Sequence, residues 1–518
     1  MTAEVERARA HSLAGIPRRS AARFPHKTAI VHRDVRLTFA EFDAVVDRVA
    51  AALQQAGLER GDKLALLSHN CWQYPVLSFA TARIGVVFVP VNFMLTGGEV
   101  AYILRDCDAD AFVVEDALLP VAEKALAEHD VRLRAVVRLG GAAVPGGWRD
   151  FAEWSEKDGR PEPVEVGDDE VIRVMYTSGT ESRPKGAMLT SRSLMWQYMS
   201  CVVTGGMAAE DVEVHAMPLY HCAQLDNFLS TDLYLGATSI ILDRPDPAAI
   251  LRAIEAERAT NLFVPPTVWI SLLRELGSAD ISSLRKGYYG ASALPVEVLR
   301  EMKRRLPEMR FWNFYGQTEM ASLATALGPD DQDTRPGSAG RAALNVETRV
   351  VDDQDRPVPA GEVGEIVHRS PHATVGYLGK PEQTAEAFRG GWFHSGDLGY
   401  FDDAGYLWVV DRKKDMIKTG GENVATREVE EALYTVDGVA EAAVIGVAHP
   451  RWIEAVTAVV VVEPGSDLTE RDVIEGCRRV LAGFKVPKSV VFADALPKNP
   501  SGKILKRELR ARLSPKAD

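Results

Sequence analysis

Residues 175–187 read Met-Tyr-Thr-Ser-Gly-Thr-Glu-Ser-Arg-Pro-Lys-Gly-Ala. The apolar run Val171 to Tyr176 delivers the chain into Thr177, Ser178, Gly179 and Thr180, and Lys185 and Gly186 follow. Small residues let backbone N–H groups approach an anion, hydroxyls add donors, and a lysine adds charge. This is chemistry for gripping the phosphates of a nucleotide. The spacing is not Gly-x-x-x-x-Gly-Lys-Ser/Thr, so the stretch is not a Walker A loop. Alone, it competes with a plain polar surface turn.

Four further strings follow in order. Tyr315-Gly316-Gln317-Thr318-Glu319 succeeds the apolar run Phe311 to Phe314. A strand ending in Tyr-Gly brings a ring and bare backbone to a sheet edge; the ring can stack on a base, Thr318 can bond a phosphate, and the Glu319 carboxylate suits a hard cation such as Mg²⁺. In Trp392-Phe393-His394-Ser395-Gly396-Asp397, the Asp397 carboxylate can pair with a vicinal diol, although a bare Gly-Asp is an ordinary turn. Asp411-Arg412-Lys413-Lys414-Asp415-Met416-Ile417-Lys418 runs into Gly420-Gly421-Glu422-Asn423, which read plainly is a solvated charge run. Pro497 to Leu509 places Lys503 after a Pro/Ser/Gly turn, at the start of an expected helix.

Together these strings resemble the adenylate-forming superfamily: acyl-CoA synthetases, peptide-synthetase adenylation domains and beetle luciferases. Weaker similarity at Lys27–Ile30 and Leu37–Phe42 extends the resemblance over nearly the whole chain. The resemblance implies an ATP/AMP site made of Thr177, Ser178, Gly179, Thr180 and Lys185, of Gly290, Ala291 and Ser292, and of Asn313, Phe314, Tyr315, Gly316, Gln317 and Thr318. Asp397 and Arg412 would hold the ribose, and Glu319 the metal. Lys414 matches the hinge about which a C-terminal domain rotates, and Gly420, Gly421 and Glu422 would line the CoA channel. Lys503 matches the mobile catalytic lysine, grouped here with Thr318, Glu319 and His221. Pro218-Leu219-Tyr220-His221 resembles the motif bordering the acid pocket; His221 would gate that pocket or steer the carboxylate, and a core histidine is the competing reading.

Two departures stand out. Glu181 and Ser182 replace the usual hydroxyl residue and glycine of the phosphate loop. A carboxylate there opposes a triphosphate by about 1 kcal/mol in water, and more where screening is poor; Arg183 offsets it locally. Ser191 stands where a histidine is frequent.

The expected reaction has two steps. A carboxylate attacks the α-phosphorus of MgATP, giving acyl-AMP and pyrophosphate, and a thiol then takes the acyl group. Bringing two anions together makes cation supply the main catalytic problem. The expected function is an ATP-dependent acyl-CoA synthetase with ATP, Mg²⁺ and CoA as cofactors, acting on a medium- or long-chain fatty acid. The alternatives are an aryl acid (hydroxycinnamate or benzoate), acyl transfer to a carrier protein's phosphopantetheine, and a non-catalytic nucleotide-binding relative motivated by Glu181 and Ser182.

A chain of 518 residues implies more than one domain. Its 46% hydrophobic and 26% charged residues are ordinary for a globular protein, and a net charge of −13 argues against nucleic-acid or anionic-membrane partners. Five scattered cysteines fit a reducing cytoplasm and speak against a disulfide framework or a zinc site. No secretory h-region or membrane span is expected. A homodimer is compatible with the sequence. Strands are expected at Lys63–Leu67, Val86–Val91, Ala111–Val114, Ser239–Leu242, Asn261–Val264, Lys286–Tyr289 and Arg310–Phe314. Helices such as Ala44–Gln55 and Pro247–Glu257 lie between them. Such alternation implies an α/β fold with layered, largely parallel sheets. Residues 337–410 read as a β-rich, barrel-like subdomain, and residues 139–147 as a flexible surface loop. The expected division is a nucleotide- and acid-binding domain over 1–411 and a small mobile α/β domain over 412–518.

Overall fold

The computed structural model describes residues 3–9, 11–177, 183–290, 294–498 and 503–513. Two large sheets dominate. A seven-stranded sheet runs in the order 149–150, 133–137, 111–115, 63–67, 87–91, 171–176 and 186–190. It is parallel except at its last pair, where Val171–Tyr176 and Gly186–Thr190 form an antiparallel hairpin. A nine-stranded sheet carries parallel neighbours from Arg310–Gln317 through Lys286–Gly290, Asn261–Phe263, Val212–His215 and Thr238–Ile241 to Thr28–His32. The β-branched and aromatic runs predicted as strands are these central ones. They are buried on both faces, which is why they read as continuous apolar stretches.

Helices cover the sheets. Phe39–Gln55 starts five residues before the expected Ala44, because Thr38 and Glu41 form a capping box that satisfies the first turn. Every residue of Gln73–Arg83 is buried, so this helix shows no amphipathic face. The two large sheets meet at the Arg173–Asp226 ion pair, in which both side chains are fully buried. Tyr198 donates to the same carboxylate at 3.0 Å. Asp226 lies in a π-helix, Ala223–Leu229, a rare conformation frequent at functional sites.

Residues 337–410 contribute a four-stranded antiparallel sheet, 347–351, 364–369, 393–401 and 407–412, and Gly340 also bridges to Leu407 at its edge. The loop at 139–147 is anchored rather than loose: the N–H groups of Leu139, Gly140 and Ala142 all donate to the Asp116 carboxylate. Beyond Arg412 a separate mixed sheet forms around the antiparallel pair Val439–His449 and Ile453–Val462. The tail helix Lys506–Leu513 packs on it through Leu509, beside Ala443 and Ile445. Among the described residues, no helix is long and apolar enough to cross a membrane.

Candidate active site

A cavity of about 600 Å³ opens where the two large sheets, the four-stranded sheet and the tail meet. The strand Arg310–Gln317 supplies one wall. It continues past Tyr315, beyond its expected end at Phe314, with a register shift at Tyr315/Gly316 against Ser322–Leu327. Gly316 is required at that bulge, since a Cβ there would stand 1.7 Å from Ser322 O. Gly290 ends the neighbouring strand beside Phe314, where a Cβ would meet Phe314 O at 2.3 Å. Gly290, Phe314, Tyr315, Gly316, Gln317 and Thr318 all line the cavity. Asn313 does not; its amide donates to Ser338 O at 2.8 Å and braces the strand instead.

Asp397 sits directly behind the lining. It accepts from Tyr315 Oη at 2.7 Å and pairs with Arg412 Nε at 3.2 Å. The Arg412 contact lacks hydrogen-bond geometry, so Oδ1 keeps accepting capacity. Ser395, the hydroxyl residue two positions earlier, accepts the Asp397 N–H at 3.0 Å and donates to Ile366 O.

The stem of the phosphate-loop segment is closed, with Thr177 N–H donating to Lys185 O at 3.0 Å. Tyr102 Oη donates to Pro184 O at 3.1 Å. Thr177 and Lys185 both face the cavity. The expected ligands Ser178, Gly179 and Thr180, the departures Glu181 and Ser182, and Ala291 and Ser292 lie outside the described residues.

Glu319 follows the wall strand on a 3₁₀ turn, Thr318–Met320. One carboxylate oxygen accepts from Tyr377 Oη at 2.7 Å; the other has no partner among the described residues. An oxygen donor half-committed in a cleft that also holds lysines suits a magnesium ion travelling with phosphates.

The tail reaches this cleft. Lys503 lines the cavity with Arg412, Lys414 and His221. Its side chain is only half-buried by exposure, yet burial inside the cleft, then Arg412, push its amine down to about 8, against the pull of Asp397 and Asp415. Burial, then Lys503, lower His221 to about 4, so its imidazole is neutral near pH 7. The turn at Gly420 and Gly421 is exposed and does not line the cavity, nor does Glu422. Gly420 N–H donates instead to Trp452 O at 2.8 Å. Next to it, Ile453 has φ of 71° and is 67% exposed, a strained geometry for a β-branched residue.

Several pocket residues had no sequence signal. Asn227, 4% exposed, faces the cavity from the π-helix. Its oxygen accepts from Gln197 and Cys201, while its amide nitrogen has no partner among the described residues. Gln224 lines the cavity too, accepting Met217 N–H at 3.2 Å and bonding His215 Nδ1 at 2.8 Å. His215 Nε2 lies 3.2 Å from Asp232 without hydrogen-bond geometry, and Glu213, His215 and Asp232 form a buried cluster behind the cavity wall. Only the helix register and the inter-sheet contact put these side chains in the wall.

A model of the AMP-binding enzyme family matches residues 17–378, and that of the AMP-binding enzyme C-terminal domain matches residues 428–503. The chain is 40% identical over 506 residues to a feruloyl-CoA synthase of an Amycolatopsis species, covering 97% of this chain and 99% of that protein. It is 33% identical over 484 residues to the long-chain-fatty-acid–CoA ligase FadD13 of Mycobacterium tuberculosis, covering 93% and 94%. The anthranilate CoA ligase AuaEII, solved with anthranoyl-AMP, superposes with a TM-score of 0.91 at 26% identity, over 97% of each chain. With both family models satisfied, and the second ending on the very lysine that stands in the cleft, the chain belongs to the adenylate-forming, AMP-binding enzyme family.

Proposed function

We propose that the chain activates an aryl acid and joins it to CoA. At the coarser level the enzyme is an AMP-forming acid–thiol ligase that uses ATP, Mg²⁺, CoA and a small carboxylic acid. The sequence leaned towards a medium or long aliphatic acid. The observation that carries the aryl reading is the cavity wall. Phe263 and Phe314 line it, and each lies within 17° of parallel to buried Phe228. Flat walls favour a ring, which stacks at offset or edge geometries. The uncommitted amide nitrogen of Asn227 can meet a polar ring substituent. The whole cavity, nucleotide end included, is about 600 Å³, which suits a compact acid better than a long chain. The 40% identity to a feruloyl-CoA synthase supports the same choice.

The chemistry then divides among this chain's residues. Thr177 and Lys185 hold the β- and γ-phosphates, with Ser178, Gly179 and Thr180 between them. Phe314 to Thr318 seat the base and α-phosphate, and Asp397 and Arg412 the ribose. Glu319 would hold Mg²⁺, which neutralises phosphate charge. The acid's carboxylate oxygen attacks the α-phosphorus and pyrophosphate leaves; the Lys503 ammonium spans the two anions as they meet. Neutral His221 orients the carboxylate without competing for the phosphate. The unit beyond Asp411 then pivots at Lys414, withdraws Lys503 and brings the turn at Gly420–Gly421, with Glu422, to the site, where the CoA thiol attacks the acyl carbonyl and AMP departs. Five buried, unpaired cysteines support residence in a reducing compartment such as the cytoplasm.

A panel of acids scored by CoA-dependent AMP release tests the reading. Hydroxycinnamates and benzoates are expected to give a higher kcat/KM than medium- and long-chain fatty acids; the reverse order overturns the aryl assignment. Replacing CoA by a holo-carrier protein separates the two thiol acceptors.

A further inference from the structure

Tyr377 lies between the two charged side chains on which the nucleotide reading most depends. Its hydroxyl donates to Glu319 Oε1 at 2.7 Å, and Lys185 Nζ stands 4.2 Å from the centroid of its ring. The residue is 5% exposed. Its segment is stitched on two sides. Thr374 N–H donates to Glu319 O at 2.7 Å, Met188 N–H to Gly376 O at 2.9 Å and Leu378 N–H to Gly186 O at 2.8 Å. Ala187 bridges to Tyr377 itself. The ring is therefore held by the strand that follows Lys185 and by the turn that carries Glu319.

Opposite charges sharing a poorly screened cleft attract strongly. A direct Lys185–Glu319 contact would neutralise both groups and leave neither for a ligand. Among the described residues they form no ion pair, and a neutral phenol stands between them instead. A phenol is suited to this place. It donates a hydrogen bond to the carboxylate at one end and offers a π face to the ammonium.

We propose that Tyr377 is a positioning residue that presents Glu319 to the metal and Lys185 to the phosphates while keeping the two from pairing with each other. Its hydroxyl occupies one oxygen of Glu319 and leaves the second for the cation. Its ring holds the Lys185 amine at the cavity surface. The proposal rests on the nucleotide reading given above. Carboxylates that bind metals are held by outer hydrogen bonds, and losing such a partner weakens metal affinity measurably.

The test is calorimetric titration of the full chain with ATP, in excess Mg²⁺ and in EDTA, without acid or CoA so that nothing turns over. Tyr377→Phe keeps the ring and loses the hydroxyl; it is expected to weaken MgATP binding about tenfold and to leave metal-free ATP within about twofold. Tyr377→Leu loses the ring as well and is expected to weaken both forms. Unchanged MgATP affinity in Tyr377→Phe overturns the proposal. So does equal weakening of both forms in that variant, which marks a merely structural hydroxyl. A parent chain that binds ATP in neither condition overturns the nucleotide reading itself, a result separable from either of these.

Discussion

The two lysines of the cleft, Lys185 and Lys503, are held in opposite ways. Lys185 is built in. Its carbonyl accepts Thr177 N–H, its amine rests on Tyr377, and the strand after it is stitched to 376–378. Lys503 is lent. Its segment packs on the small sheet, where Leu509 meets Ala443 and Ile445. Arg510 pairs with Asp415 at 2.8 Å and Lys506 with Glu430 at 2.8 Å. Among the described residues, the small sheet joins the rest through polar contacts that include Thr426 N–H and Oγ1 on Asp411, Arg427 on the carbonyls of Val409 and Gly337, and Arg274 with Glu463 at 3.5 Å. On the mechanism proposed above, the cation that serves throughout sits in the core lobe, and the one that must leave would travel with a unit that undocks. The exposed Gly420–Gly421 turn belongs to that same unit, outside the cleft while Lys503 is inside.

The largest way to break this contrast is to remove the lent lysine. Lys503→Ala is expected to lower acid-dependent ATP–pyrophosphate exchange by about 10²–10³ or more, the scale of losing one preorganised charge donor, and to spare thioester formation from supplied acyl-AMP. Gly421→Trp is expected to do the reverse: φ there is +91°, and a bulky side chain both strains the turn and fills the proposed thiol channel. Equal loss of both half-reactions in both variants would remove the division of labour.

A change in the fixed lobe should register as stability instead. Asp226→Ala leaves Arg173 as an uncompensated buried charge, at a cost of about 3–5 kcal/mol. Thermal unfolding should show it as a marked fall in melting temperature, with residual activity limited by the folded fraction.

pH sharpens the comparison further. The Lys503 amine is held down to about 8, mainly by burial, so it is charged below that pH and loses its proton as pH rises through it. The kcat/KM of adenylation is expected to fall about tenfold per unit above about pH 8, and Lys503→Ala to flatten that limb. The smallest effect sits at Ile453. Replacing it by glycine relieves a positive φ of 71° at an exposed site and should stabilise its strand by about 1 kcal/mol, read as slower hydrogen exchange over 453–462.

Much of this was legible in the chain. The central strands fall where β-branched and aromatic runs predict them, and the hydroxyl, acidic and basic strings single out Lys185, Glu319, Asp397 and Lys503. Those are local signals, since a strand run or a turn string is written in consecutive residues. Asn313 shows the limit: it lies inside a site string, yet its side chain serves Ser338. So does the loop at 139–147, whose glycines suggested freedom while Asp116, more than twenty residues earlier, collects its N–H groups.

By itself, the sequence determined the reaction class and, through the family resemblance, nominated the residues proposed to face phosphate, ribose and metal, because binding a polyanion demands particular side chains at short fixed spacings. The tertiary structure alone decided which side chains wall the cavity beyond those strings and how the small sheet is posed over it. Gln224 and Asn227 on the π-helix, Phe263 and Tyr377 come from three separate segments and meet only when the sheets pack. The pose of the small sheet over the cavity rests on contacts such as Arg427 to Gly337, ninety residues apart, that no local pattern encodes.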